Sequence, residues 1–303
     1  MKFGKLEDIG GVDFTLPPDH PDTAALFQKL EPSKAGPQVY FACPAWNDKN
    51  FIGRIYPKGT KQADFLYHYS RSFNAIELNS TFYGIKRDNI HRWKDMVPKG
   101  FLFCPKLTRQ ISHYRQLNNV RMFTEEFVDA VAAFEHNLGP SFLLLPPNFT
   151  PRRFDLLENF IREFPKGVQL AVELRHHDWF NDAVVTKRLF DLFEQHGVIS
   201  IITDVAGRRD VLHQRITTPE VIIRFVGNHL HPTDYTRIDS WAVRLKEWFD
   251  QGLKTAYFFL HQPEEHLNTD IALHFVEKVN TEYGWNIEGP ELITAQNEQQ
   301  SLF

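Results

Sequence analysis

Short apolar runs alternate with longer amphipathic ones through most of the chain. Eight runs read as strands: Val39–Cys43, Ala75–Asn79, Phe101–Lys106, Ser141–Pro146, Leu170–Arg175, Ile199–Asp204, Val221–Gly227 and Thr255–Gln262. Several are almost continuously apolar, the pattern of strands buried on both faces beneath helices. Between them, apolar residues recur at helical spacing. Phe65, Tyr69 and Phe73 form one stripe, and Phe123, Phe127, Val131, Phe134 and Leu138 another. Others follow at Phe154–Phe164, Val185–Phe193, Trp241–Phe249 and Ile271–Val279. Thr124 with Glu125-Glu126 marks a helix start, and Gly139, Gly197 and Gly252 mark helix stops. The stretch after Asp204 has no long stripe and reads as irregular. Strands alternating with helices in this rhythm predict an α/β fold, a single-domain TIM-like (β/α)8 barrel. The rival, an open doubly wound sheet, predicts a glycine-rich phosphate loop after the first strand. That turn reads Cys43-Pro44-Ala45-Trp46, and no GxGxxG or GxxxxGK[ST] occurs.

The two ends differ from this body. Residues 1–37 are irregular and proline-rich, and are expected to be an extension packing on the barrel of residues 38–283; residues 284–303 form a polar tail. At 303 residues and 42% hydrophobic content the chain is globular in composition. Its formal net charge of −4 disfavours non-specific nucleic-acid binding, although a local basic patch would permit it. Two cysteines, Cys43 and Cys104, lack any framework or metal spacing. With no signal-like N-terminus and no membrane-length apolar run, they suggest a cytoplasmic protein without a membrane partner.

Barrel enzymes place their chemistry at the C-terminal ends of the strands, and the polar residues of this chain collect there. The second run ends in Glu77-Leu78-Asn79-Ser80-Thr81-Phe82-Tyr83, and the third in Cys104-Pro105-Lys106. The fifth ends in Glu173-Leu174-Arg175-His176-His177-Asp178-Trp179, the sixth in Thr203-Asp204, and the eighth in His261-Gln262; the seventh carries Arg224. Strand alternation puts Glu77 and Asn79 on one face, and Glu173 and Arg175 likewise. A lone buried carboxylate is costly. Glu77, Glu173 and Asp204 are therefore expected to pair with Lys106, Arg175 and Arg224. Such a cluster either satisfies itself or forms a bed for an anionic or polyhydroxy substrate.

These residues match a family pattern. Glu77 to Tyr83 resembles the E-[IL]-N-[ST]-T-F-Y signature of the YecE-like family, the domain of unknown function numbered seventy-two. The resemblance runs from about Tyr40 to Val279. It takes in Trp46 and Tyr56-Pro57, then Phe103 with Lys106, then Ile111-Ser112-His113 and Leu145-Pro146-Pro147-Asn148-Phe149. It continues through Glu173, Arg175, His176 and Trp179 to Arg224 and Gly227. The chain departs from the pattern at Ala45, where glycine is usual, at Val226, where histidine is usual, and at His261-Gln262, where an asparagine pair is usual. The resemblance implies a TIM-like barrel and no particular reaction.

Glu77 and Glu173 are the candidate acid–base residues, with Asp204 beside them and His176 as an auxiliary. Lys106, Arg175 and Arg224 are the candidate anion holders. Asn79, His113 and His261 would add polar contacts, and Trp46, Tyr83 and Trp179 would stack on a ring. Neighbouring acids are expected to keep Lys106 protonated, which favours charge pairing over Schiff-base chemistry. No cofactor is predicted. A divalent metal held by Glu77, Glu173 and Asp204, in a phosphoesterase or isomerase, is one alternative. A non-catalytic module binding a metabolite or nucleic acid is the other.

Overall fold

The computed structural model describes residues 3–31 and 36–293, so 294–303 of the expected tail, and 1–2 and 32–35 of the extension, lie outside the described residues. Eight parallel strands are present: β1 (Gln38–Cys43), β2 (Ala75–Leu78), β3 (Leu102–Pro105), β4 (Ser141–Leu144), β5 (Leu170–Glu173), β6 (Ile199–Asp204), β7 (Glu220–Val226) and β8 (Thr255–His261). They lie in the order β3-β2-β1-β8-β7-β6-β5-β4. The outer members of that row meet through bridges pairing Phe103 with Leu138 and Lys106 with Phe142. The Leu107 N–H also donates to the Phe142 carbonyl at 2.9 Å. The sheet thus closes into a nearly complete barrel, the TIM-like fold that the strand rhythm predicts.

Helices α1 (Pro21–Phe27), α2 (Phe65–Ser72), α3 (Arg87–Met96), α4 (Arg121–Val131), α5 (Phe154–Glu163), α6 (Ala183–His196), α7 (Pro232–Asp250) and α8 (Asn268–Tyr283) surround it. Their aromatic stripes face the strands, which is where much of the phenylalanine excess goes. Among the described residues no helix is long and apolar enough to cross a membrane. α4 begins a turn before the expected Thr124, because that hydroxyl donates to the Val120 carbonyl at 3.0 Å inside the first turn rather than capping it.

Strand alternation sorts the residues into two cores. Ala42, Ala75, Cys104, Phe142, Ala171, Ile199, Ile201, Ile222, Tyr257 and Phe259 fill the barrel. Small residues on β1, β2 and β5 make room for the rings of β4 and β8, and Phe142 meets Phe259 edge to face with centroids 5.6 Å apart. The alternate positions, such as Phe41, Ile76, Val172, Ile223 and Phe258, point outward under the helices. Both cysteines are buried and free. Burial raises both thiols well above the ordinary cysteine range, so they act as small apolar groups.

One covering helix is missing from its own βα unit. Between β6 and β7 there is only a short turn at Arg209–Val211. α1 fills the gap from the far end of the chain. The His20 N–H donates to the Gln214 carbonyl at 3.2 Å. The fully buried Thr23 hydroxyl donates to the same carbonyl at 2.9 Å and accepts from the Ile216 N–H at 3.0 Å. On one side Lys29 and Arg215 both reach Glu194 of α6. On the other, Asp19 accepts from Arg244 at 2.7 Å and from the Trp248 indole at 3.0 Å, both on α7. Thr23→Val is isosteric but leaves the Ile216 N–H without its acceptor. It should cost about 1–3 kcal/mol in urea unfolding, with faster amide exchange at residues 214–216. Unchanged stability and exchange would show that α1 does not complete the barrel.

Candidate active site

The apolar filling of the barrel gives way, one side-chain layer higher, to charge. Two residues on from Ala75 stands Glu77; from Cys104, Lys106; from Ala171, Glu173; from Ile222, Arg224; and from Phe259, His261. Alternation therefore aims all five at the axis. Glu77, Glu173 and Arg224 have no exposed surface, and Lys106 and Arg175 are 8% and 6% exposed.

Arg224 joins the two acids across the barrel. Its Nη2 lies 3.3 Å from Glu77 Oε1, and its Nε lies 3.7 Å from Glu173 Oε2. Glu77 is held on both oxygens. Oε1 also accepts from Asn79 Nδ2 at 3.0 Å, and Oε2 shares a 2.5 Å hydrogen bond with His261 Nε2. Glu173 Oε1 accepts from Arg175 Nε at 2.6 Å. Among the described residues its Oε2 is a buried acceptor with no hydrogen bond. Among the described residues the Lys106 ammonium makes one hydrogen bond, to Asn79 Oδ1 at 3.4 Å. Its Nζ lies 4.8 and 5.8 Å from the ring centroids of Phe82 and Phe142.

The fields follow from this packing. Burial would raise the Glu77 carboxyl, but Arg224 and His261 outweigh it and hold Glu77 well below the usual range. Glu173 is lowered likewise, burial being overcome by Arg175 and Arg224. His261 is lowered by burial and by Arg224, so its neutral ring donates to Glu77. Burial, with Lys106 and Arg175 nearby, pushes His113 down to about 4. His113 sits in a wide helical turn at Gln110–Tyr114, its ring edge-on to Phe82 at 4.9 Å. Lys106 is pulled down to about 8, because burial and Arg224 outweigh the pull of Glu77 and Glu173. At about 8 Lys106 is still mostly protonated at neutral pH, as its acidic neighbours lead one to expect, although desolvation lowers it.

Other sequence candidates lie elsewhere. Asp204 is not in the cluster. The inward residues of β6 are Ile199, Ile201 and Thr203, so Asp204 points out toward α7. There it binds Arg209, Arg237 and the Trp241 indole, the last at 2.8 Å. These partners overcome burial and hold its carboxyl below the ordinary range. Its role is to tie helix to strand, and Glu77, Glu173 and Asp204 do not converge on a cation. Trp179 has no face left for a ligand. It is fully buried, stacked on Phe149, with its indole N–H on the Phe149 carbonyl at 2.8 Å. Trp46 packs edge-on against Trp93 at 5.4 Å. Tyr83 stands out at the rim, 71% exposed, with the Arg109 guanidinium 5.6 Å from its ring.

His176 caps the turn after β5, its Nδ1 accepting the Asp178 N–H at 3.2 Å. With His177 and Asp178 it forms a rim group whose ligand atoms lie within 4.8 Å of one another. The extension also reaches the mouth. The Phe3 ring lies 4.2 Å from the Arg175 guanidinium and 4.8 Å from that of Arg208, and the Gly4 carbonyl accepts the Gly207 N–H at 2.8 Å.

Glu265 is the residue that sequence reasoning missed. It starts the short turn Glu265–Leu267 after β8, where no periodicity marks it. Asn268 Nδ2 donates to it at 3.2 Å. Burial, with the charges of Glu77 and Asp48, raises its carboxyl to about 8. The mouth thus holds carboxyls pushed in opposite directions, Glu77 and Glu173 down and Glu265 up.

Comparison with known proteins fits this architecture. Residues 40–295 match the family model described as "Protein of unknown function DUF72". The protein UPF0759 YecE of Escherichia coli K12, and its counterpart in strain O157:H7, are 27% identical over 246 residues, covering 75% of this chain and 87% of theirs. A DUF72 family structure from Enterococcus faecalis V583 superposes with a TM-score of 0.66 at 16% identity, covering 85% of this chain and 100% of its own. One from Thermotoga maritima MSB8 gives 0.65 at 19%, covering 80% and 99%. These structural likenesses concern the fold. With a family model running through nearly the whole barrel, the chain belongs to the DUF72 family of proteins of unknown function.

Proposed function

We propose that the protein is an enzyme that binds a small anionic or polyhydroxy substrate over the upper layer of the barrel and moves a proton on it. The observation that carries this reading is Lys106. Among the described residues its buried ammonium has no carboxylate ion-pair partner, in a layer that also holds Arg175, Arg224, Glu77 and Glu173, while His113 and His261 are held neutral. A buried ammonium without an ion pair is costly, and an entering anion offsets it. A divalent metal between Glu77 and Glu173 fits poorly, because Arg224 already occupies that position.

The carboxyls divide the work. Glu77, ionised and held by three donors, orients Arg224, Asn79 and His261. Glu173 Oε2, with no hydrogen bond among the described residues and Arg224 Nε 3.7 Å away, serves as the proton acceptor. Glu265, protonated at neutral pH, serves as the proton donor on the β8 side. The forks of Arg175 and Arg224 suit a carboxylate or phosphate.

Phosphate at about a hundred times its Kd should stabilise the wild type by about 2.7 kcal/mol in thermal unfolding. Arg224→Met and Arg175→Met should lose that gain, while Arg87→Met, on an exposed pair with Asp129, should keep it. Equal stabilisation of all the proteins would remove the anion site.

The titrations have opposite signs. Glu77 and Glu173 ionise more readily in the fold than in the unfolded chain, so their contribution is lost as pH falls through the carboxyl range. His113, lowered to about 4, acts in the same direction below neutrality. Glu265, raised to about 8, does the reverse, and its contribution is lost as pH rises towards 8. Glu265→Gln should therefore gain stability over the wild type as pH rises from about 5 to 8 in urea titrations. A constant difference across that range would show that Glu265 is ionised throughout.

A further inference from the structure

We propose that Lys106 is a covalent anchor, forming an imine with the carbonyl carbon of a small 2-oxo acid whose carboxylate lies on Arg175 and Arg224. The proposal deepens the anion-binding reading and rests on it. The backbone at Lys106 is fixed on every side. Its N–H donates to the Leu78 carbonyl at 3.2 Å, its carbonyl accepts the Thr81 hydroxyl at 2.7 Å, and it bridges to Phe142 across the seam that closes the barrel. The residue is buried, 8% exposed, and its ammonium has one long hydrogen bond and no carboxylate ion-pair partner among the described residues.

An ammonium placed only for structure would be expected to sit on Glu77 or Glu173, both in the same layer. Those acids are instead taken up by Arg224, Arg175 and His261. The groups that act on Lys106 from the surrounding strands are Glu77, Glu173, Arg175 and Arg224, with His113 nearby. The rings of Phe82 and Phe142 wall the side chain, and it is burial that favours the neutral amine. With a pKa of about 8, roughly one Lys106 amine in ten is neutral at pH 7, against fewer than one in a thousand for an ordinary lysine.

Phe142 and Phe259 close the floor directly beneath this layer, so the carbonyl compound must be small. The step balances without an outside reagent. The Lys106 nitrogen forms a bond to the carbonyl carbon, and the carbonyl oxygen departs as water carrying two of the three ammonium protons. The protonated imine keeps the single positive charge. Glu173 Oε2 is then available to remove a proton from the carbon next to the imine, whose positive nitrogen takes up the released electron pair.

The test is reductive trapping of the full chain at neutral pH with pyruvate and cyanoborohydride, read by intact mass and peptide mapping. The expected result is a gain of one pyruvate less one oxygen atom, on Lys106, about tenfold or more faster than on exposed lysines such as Lys61 and Lys187, and absent in Lys106→Arg. Because the lysines are compared within one wild-type sample, this reading survives misfolding of the variant. Labelling of Lys106 no faster than of Lys61 overturns the proposal. Calorimetry with lactate, which cannot form an imine, separates the two readings. Lactate binding without preferential trapping removes the imine and leaves the anion site, and the failure of both removes both.

Discussion

One buried guanidinium holds the upper end of the barrel together. Arg224 reaches Glu77 on β2 and Glu173 on β5 from β7, so three strands far apart in sequence share one ionic contact. Removing either acid would take one carboxylate from Arg224, and breaking a buried pair in this way typically costs about 3–5 kcal/mol. The contact also sets everything around it. It occupies one oxygen of Glu77 and, among the described residues, leaves an oxygen of Glu173 without a hydrogen bond and Lys106 without a carboxylate of its own.

The barrel is completed in an unusual order. The β6–β7 connection carries only a short turn, and a segment from the start of the chain supplies α1 instead, with Thr23 standing in as a hydrogen-bonding partner for Gln214 and Ile216. The same segment continues to the mouth, where the Phe3 ring covers the Arg175 and Arg208 guanidinia and the Phe14 ring lies 4.8 Å from that of Arg237. Support of the wall and cover of the ionic layer are thus joined in one piece of chain.

Much of this was legible in the sequence, because a parallel barrel imposes two simple rules: apolar strands covered by helices, and polar residues at their C-terminal ends. Alternation is the stronger signal. Counting by twos along β6 from Ile199 places Thr203 inward and Asp204 outward, although Asp204 ends a strand as catalytic barrel residues do. Trp179 is ambiguous for another reason, since a loop aromatic can as well be packed beneath the loop as displayed on it. Glu265 and the lowered lysine could not be read from spacing. Both depend on burial by residues distant in sequence, and desolvation has no local pattern.

The central claim is that an anion belongs among Lys106, Arg175 and Arg224. Anomalous diffraction from crystals soaked in selenate tests it most directly. The account predicts a selenium peak within hydrogen-bonding distance of at least two of these three side chains, with Phe3 displaced from Arg175. Selenate found only at surface arginines, with the ionic layer unaltered, would contradict it.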